Sequence, residues 1–216
     1  ENEESVTIEA TVQKTDVKSF FSCGSSIQAK LPVGSDVATF RKLLGKDLPP
    51  EAQILVERPG RGVIPLMDSE PIQERVTITG FRGSKSFYMV FTPKQCRGAL
   101  TMLKQYFERP DTQKKLDQLM EATHGAETEY RGKLSMLLVT EAYPPIFEHY
   151  GIPSGSAGSR YFMDAMGSLM SYWDPELAGL WLEVETLMRN QTNMRQAAAL
   201  LSQIKAQQQE DKEPQH

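Results

Sequence analysis

The hydrophobic period of this chain changes near Phe91, and that change limits the folds available to it. Before Phe91 the apolar residues come in short alternating runs, such as the SVTIEATVQ that starts at Ser5. Alternation is typical of a strand that has one face on a core and the other in solvent. After Phe91 the apolar residues recur every three or four positions, which is the spacing of amphipathic helices. We therefore predict an α+β chain in which a sheet comes first and a helical bundle follows.

One helix interrupts the alternating part of the chain. The segment SDVATFRKLLGK offers Ser35 or Asp36 as an N-cap and ends near Gly45, a common residue at helix ends. The predicted order is strand, strand, helix, strand, strand, strand. The runs taken as strands are SVTIEATVQ, SSIQAKLPV, QILVERP, GVIPL and SFYMVF.

The second part of the chain carries several helix start signals. TPKQ predicts a capping box between Thr92 and Gln95, and Asp111 is the predicted cap of the next helix. A longer helix is predicted over residues 127–150, with a kink at its proline pair. The segment WDPELAGLWLEVETLM predicts a helix capped by Asp174. Its expected buried stripe is Leu177, Leu180, Trp181, Val184 and Leu187.

The first part resembles a ubiquitin-like β-grasp domain over residues 5–91. The resemblance rests on VGSDVATFRKLLGKDLPPEAQILVE, RPGRGVIPLMDSEPIQ and VTITGFRGSKSFYMVF. It implies that Ile72 and Ile78 fill the base of a core, while Gly60 and Gly62 supply positive φ angles for a tight turn. The chain runs directly from the last predicted strand into a helix, without a free diglycine tail. The resemblance therefore implies a built-in recognition domain and not a conjugated modifier.

The second part, residues 92–189, resembles the small all-helical family known as protein C-ten. The matching segments are MLKQYFERP, MLLVTEAYPPIFEHYGI and YWDPELAGLWLEVETL. The resemblance implies a helical bundle and transfers no site residues, because that family has no established catalytic activity. Residues 190–216 are predicted to form a weakly helical to disordered tail.

Composition excludes some function classes. The formal charge of the 216-residue chain is −4, whereas a main role in nucleic-acid binding needs clustered positive charge. No run approaches the roughly 18 apolar residues of a membrane span. We expect protein partners, no nucleic acid and no membrane span. Because the chain opens on Glu1, we expect processing or trimming; the expected location is cytoplasmic, or organellar if a targeting segment was removed.

The residues most often used in catalysis are sparse. Cys23 and Cys96 are expected to be free structural thiols, although a disulfide between them stays open. His124, His149 and His216 do not form a pattern that would bind zinc, which needs three or four ligands. We predict no metal, no cofactor and no enzymatic activity.

Apolar and aromatic residues are the better candidates for function. The chain has 10 Met, and Met furnishes adaptable interfaces as well as cores. The proline pair is expected to leave Tyr143, Ile146 and Phe147 exposed at a bend. Tyr172 and Trp173 lie just before the last predicted helix. These five residues are the predicted partner-binding site, with two alternatives open for Trp173: an interface anchor or a core residue.

These observations predict a non-enzymatic protein–protein interaction module, acting as an adaptor or a subunit of a larger assembly. One alternative is a structural accessory subunit of an organellar or cytoskeletal complex. A second is a Cys-dependent or small-ligand enzyme with a pocket between the two domains.

Overall fold

The computed structural model describes residues 5–13, 25–83 and 85–210. The chain divides into two compact units between Val90 and Phe91. We call them the sheet unit and the helical unit, because all strands of the described residues precede the division and most of the helices follow it. The fold class is therefore α+β.

The sheet unit contains six strands and one α-helix among the described residues. The strands are β1 (Ser5–Gln13), β2 (Ser25–Pro32), β3 (Gln53–Arg58), β4 (Gly62–Pro65), β5 (Arg75–Thr79) and β6 (Phe87–Met89), and α1 (Val37–Leu44) lies between β2 and β3. Their order in the sheet is β4-β3-β5-β1-β2-β6. The central pair, β1 and β5, is parallel, with Ala10 opposite Val76. On one side of this centre β2 pairs antiparallel with β1, and β6 adds a parallel edge strand beside β2. On the other side β3 pairs antiparallel with both β5 and the edge strand β4.

The structure corrects the predicted strand order at β5. This strand was missed in the sequence, where the segment from Val76 counted only as part of a final loop before SFYMVF. In the structure β5 lies at the centre of the sheet, whereas Phe87–Met89 forms a three-residue edge strand. The reason is packing: Val76 and Ile78 alternate inward and are buried, which gives β5 the burial pattern of a central strand.

Helix α1 packs on the core of the sheet unit. Asp36 caps it as predicted, since its Oδ1 accepts the Thr39 backbone N–H at 2.8 Å. Val37 and Phe40 are fully buried. Ile78 is also fully buried in this core and Ile72 packs partly buried against it, as the sequence predicted.

The turn between β3 and β4 has the backbone that its glycines suggest. Gly60 and Gly62 have φ angles of 74° and 71°, in the left-handed region that residues other than glycine rarely adopt. The sequence prediction for this turn is confirmed.

The helical unit is built from seven α-helices among the described residues. They are α2 (Pro93–Phe107), α3 (Pro110–Ala122), α4 (Glu127–Leu137), α5 (Tyr143–Tyr150), α6 (Ser156–Met166), α7 (Pro175–Leu187) and α8 (Gln191–Glu210). A π-helical turn, Leu138–Ala142, joins α4 to α5, and a 3₁₀ turn, Gly167–Ser171, follows α6. Helix α7 packs against both α2 and α8.

Two of the predicted helix caps in this unit are confirmed. The Gln95 backbone N–H donates to Thr92 Oγ1 at 3.2 Å, and the Thr92 N–H donates to Gln95 Oε1 at 3.0 Å, which completes the capping box. Asp174 Oδ1 accepts the Leu177 N–H at 3.1 Å at the start of α7. The cap predicted at Asp111 is wrong: α3 begins one residue earlier, at Pro110, whose fixed φ suits the first helical position.

The residues after Asn190 are more ordered than the sequence predicted. Helix α8 runs over twenty residues, and Ala197, Leu200 and Ile204 are buried along it. These three positions are spaced by three and four, so one narrow apolar face docks α8 on the bundle even though most other positions of the helix are polar. Residues 211–216 of the predicted tail lie outside the described part of the chain.

Candidate functional site

Three of the five predicted partner-binding residues are in the core of the helical unit. Tyr143, Ile146 and Phe147 are 7%, 1% and 4% exposed. The ring centroids of Tyr143 and Phe147 lie 4.9 Å and 5.8 Å from that of Phe162 on α6. The expectation that the proline pair would expose these side chains at a bend is therefore wrong.

The π-helical turn explains why the prolines do not open the helix. Pro144 and Pro145 lack backbone N–H groups and would leave gaps in a regular α-helical ladder. The Tyr143 N–H instead donates to the Leu138 carbonyl, five residues back, so the backbone passes from α4 to α5 with one wide turn. Both prolines face solvent, and the apolar side chains before and after them turn inward.

Trp173 is the predicted residue that the structure leaves accessible. Its side chain is 49% exposed, so it does not belong to the buried core. Its φ of +50° is uncommon for a bulky residue. The neighbours on both sides are fixed: the Tyr172 hydroxyl donates to the Phe91 carbonyl, and Asp174 pairs with Arg97 at 2.9 Å. The half-buried Tyr172 thus has a structural role, whereas the side chain of Trp173 is exposed to solvent.

A second feature of the helical unit is a groove that we call the methionine groove. It has a volume of about 450 Å³, and residues of α2, α4, α5, α6, α7, α8 and the two irregular turns line it. Four methionines line it: Met163, Met166, Met170 and Met188. Met163 and Met170 are 57% and 49% exposed, whereas Met188 is buried. The groove is therefore lined mainly by apolar side chains, with a smaller number of polar ones, and two methionines are exposed at its rim.

One acidic residue lies inside this apolar lining. Glu185 on α7 is only 5% exposed and lines the groove. Its Oε1 accepts two hydrogen bonds, from Trp181 Nε1–H and from Asn193 Nδ2–H, each at 3.0 Å. Its Oε2 is buried and accepts no hydrogen bond from the described residues. A buried carboxyl oxygen without a partner is uncommon and calls for a physical explanation.

Burial sets the ionisation of Glu185. Loss of solvent raises the pKa of this carboxyl above its usual value of 4.5, and the nearby donors Asn193, Trp181 and Asn190 oppose that rise in part. Burial also raises the pKa of Tyr143, and the nearby negative charge of Glu185 adds to the effect. A second buried polar atom, Ser159 Oγ, also has no partner among the described residues and belongs to the same lining.

The position of Glu185 in the sequence already indicated that it is unusual, although we did not predict it as a site residue. The predicted stripe of α7 included Trp181 and Val184, and Glu185 lies within it, four residues after Trp181. A charged residue inside an apolar stripe is either paired or functional, since burying it alone is costly. The predicted stripe is also only partly right: Leu177 and Val184 are buried, while Leu180, Trp181 and Leu187 are half-buried.

The candidate catalytic residues do not assemble into a site. Cys96 is a free thiol and fully buried, and burial raises its pKa to about 12, the opposite of an activated nucleophile. His124 and His149 are both exposed. Within residues 5–13, 25–83 and 85–210, no group of three or more His, Cys, Asp or Glu side chains could hold a metal ion. Cys23 and His216 lie outside the described residues.

Two further results bear on classification. Among the helices that the structure describes, none is long and apolar enough to cross a membrane. Comparison of the chain with known protein families, characterised proteins and solved structures finds no match.

Proposed function

We propose that this protein is a non-enzymatic interaction subunit or adaptor, and that its helical unit binds an apolar segment of a partner protein in the methionine groove. The observation that carries the proposal is the exposure of Met163 and Met170 at the rim of an apolar groove. Large apolar side chains that cluster in solvent around a concavity are typical of interaction sites.

The chemistry of the groove suits a protein segment. Methionine side chains are unbranched and polarisable, so they adapt to the shape of an incoming apolar surface. Grooves between helices commonly receive an amphipathic helix that inserts side chains at helical spacing. Trp173 does not line the groove, but it is a second exposed apolar side chain of the helical unit, and its fixed neighbours limit the entropy that it would lose on binding.

The proposal for the sheet unit is that it is a built-in ubiquitin-like recognition domain. Its parallel central pair, two flanking hairpin pairs and single helix between β2 and β3 support the resemblance seen in the sequence. The chain continues from β6 into α2 after only a few residues, which favours a domain fixed in its own chain over a conjugated modifier. The resemblance of the helical unit to the protein C-ten family remains part of the same proposal.

Two alternative functions were open from the sequence, an accessory subunit and a Cys-dependent enzyme. A structural accessory subunit would use the same groove and differ only in its assembly and location, which stay predictions. The Cys-dependent enzyme receives no support from Cys96, since a fully buried thiol with a pKa near 12 is a poor nucleophile. No described feature favours that alternative over an interaction protein.

Matched substitutions test the proposal. Met163→Glu and Met170→Glu place a charge on the rim of the groove, and Met67→Glu places the same charge on an exposed methionine of the sheet unit. We expect the two groove variants to weaken association with co-purifying proteins by about 2 kcal/mol or roughly thirtyfold. All three should keep the wild-type melting temperature. Equal loss in Met67→Glu, or wild-type association in both groove variants, would contradict the proposal.

A further inference from the structure

Glu185 places a hydrogen-bond acceptor without a donor in the methionine groove. The carboxyl is buried beside apolar side chains and a few polar groups, yet only one of its two oxygens accepts hydrogen bonds within the described structure. When the carboxyl is ionised, its buried Oε2 is a charged acceptor without a donor, which is unfavourable. A donor supplied by the occupant of the groove would satisfy Oε2 once the side chains that cover this buried oxygen move aside.

The geometry restricts what kind of donor fits. Oε1 already accepts two N–H groups, so an arginine fork, which uses both oxygens of a carboxylate, would have to displace Trp181 or Asn193. A lysine ammonium is a compact charge that needs only Oε2 as its carboxylate contact. Its four-carbon stem is apolar and would lie along the methionine walls. Arg131, the other charged residue of the lining, is exposed; its positive charge lowers the pKa of the carboxyl, but Oε2 accepts no hydrogen bond from it.

We propose that the segment bound in the methionine groove is an amphipathic helix of a partner protein whose apolar face carries one lysine, and that Oε2 of Glu185 binds its ammonium group. This inference rests on the proposed function and adds which side chain of the bound helix the groove recognises, namely a lysine. The exposed rim formed by Met163 and Met170 favours a helix over a small amine, because the apolar surface extends beyond the cavity that an amine would fill.

A displayed peptide library tests the rule on the whole protein. The library consists of amphipathic helices about sixteen residues long, or about four turns, with the positions of the apolar face randomised. Selection against the wild-type chain should enrich lysine at one position of the apolar face. Selection against Glu185→Gln should not. Glu183→Gln is the matched control, since Glu183 is an exposed glutamate on the same helix and pairs with Lys104 at 2.8 Å.

Individual affinities then measure the size of the effect. The selected peptide should bind the wild-type chain about tenfold or more tightly than its lysine-to-leucine variant, as expected for a charge-assisted hydrogen bond. Arginine at the same position should bind more weakly than lysine. The preference for lysine should vanish in Glu185→Gln and persist in Glu183→Gln.

The methyl signals of Met163 and Met166 in NMR spectra separate the two ways of failing. If peptides shift these signals but show no preference for lysine, or keep the preference in Glu185→Gln, the role of Glu185 is overturned and the groove remains a docking site. If no selected peptide shifts the signals, the proposed function itself is overturned. Selection against the wild-type chain tests the preference for lysine even if Glu185→Gln does not fold.

Discussion

Replacing Glu185 with glutamine should change how the stability of the helical unit depends on pH. In the folded chain, burial raises the pKa of this carboxyl above 4.5, while in the unfolded chain it titrates near that usual value. Between those two values the folded state holds a proton that the unfolded state has lost. The contribution of Glu185 to stability is therefore fully present below about pH 4.5 and is lost as pH rises through its folded pKa.

The size of the effect follows from the unpaired oxygen. Glutamine keeps an acceptor for the N–H groups of Trp181 and Asn193 but removes the negative charge. A buried acceptor without a partner costs about 1–3 kcal/mol, and more when it is charged. For one proton, the free energy of unfolding changes by at most about 1.4 kcal/mol per pH unit. We expect the variant and the wild type to be similar near pH 4.5 and the variant to be more stable by about 1–3 kcal/mol near pH 8.

Urea unfolding monitored by tryptophan fluorescence measures this difference directly as a free energy. Both tryptophans of the chain, Trp173 and Trp181, belong to the helical unit. The other titratable groups that line the groove with Glu185 are Arg131 and Tyr143, and both are unchanged in the variant. Glu183→Gln is the control and should differ from wild type by less than about 1 kcal/mol, without a growing gain at higher pH.

Parallel pH profiles for wild type and Glu185→Gln would refute the reasoning. They would mean that the carboxyl titrates alike in folded and unfolded chains, and hence that water reaches Oε2. A gain in Glu183→Gln equal to that in Glu185→Gln would refute it too, because the effect would then reflect net charge and not burial.

Three further substitutions or reactions test the fold and the assignment of Cys96. Ile78→Asp buries a carboxylate at a fully buried position, should cost several kcal/mol, and should make amide exchange fast throughout the sheet unit; slow exchange there would contradict the core assignment. Gly158→Ala makes its Cβ clash with the Pro153 carbonyl oxygen and should lower stability by about 1–3 kcal/mol in thermal melts. Gly132→Ala meets no atom within 4 Å and should be neutral or stabilising, and the reverse order would contradict the packing. Alkylation of Cys96 in the folded chain should be much slower than in urea, and rapid modification near pH 7 would restore the enzyme alternative.

Local signals in the sequence predicted the local structure well. The cap at Asp36 and the capping box of Thr92 and Gln95 depend on residues three apart, and both are confirmed. Strand β5 was missed because its place depends on pairing with β1, more than sixty residues earlier in the chain, and a five-residue run between turns does not reveal that.

The candidate site was harder to predict for the same reason. The richness in methionine was visible in the sequence, but which methionines face solvent depends on how the helices pack. Tyr143 and Phe147 were misplaced because a proline pair usually breaks a helix, and the π-helical turn that accommodates it here is rare. The burial of Glu185 depends on Asn193 from α8, a helix that the sequence predicted only weakly.

Site-specific photo-cross-linking tests the central claim most directly. A photoreactive amino acid is placed at Met163 on the groove rim, or at Met67, which is 69% exposed on the sheet unit, and each protein is irradiated in an extract of the cells that make it. We predict one dominant protein adduct from position 163, lost when Met170→Glu is added, and no such adduct from position 67. Equal adducts from both positions, or an adduct from position 163 that survives Met170→Glu, would contradict the claim that partners dock in the methionine groove.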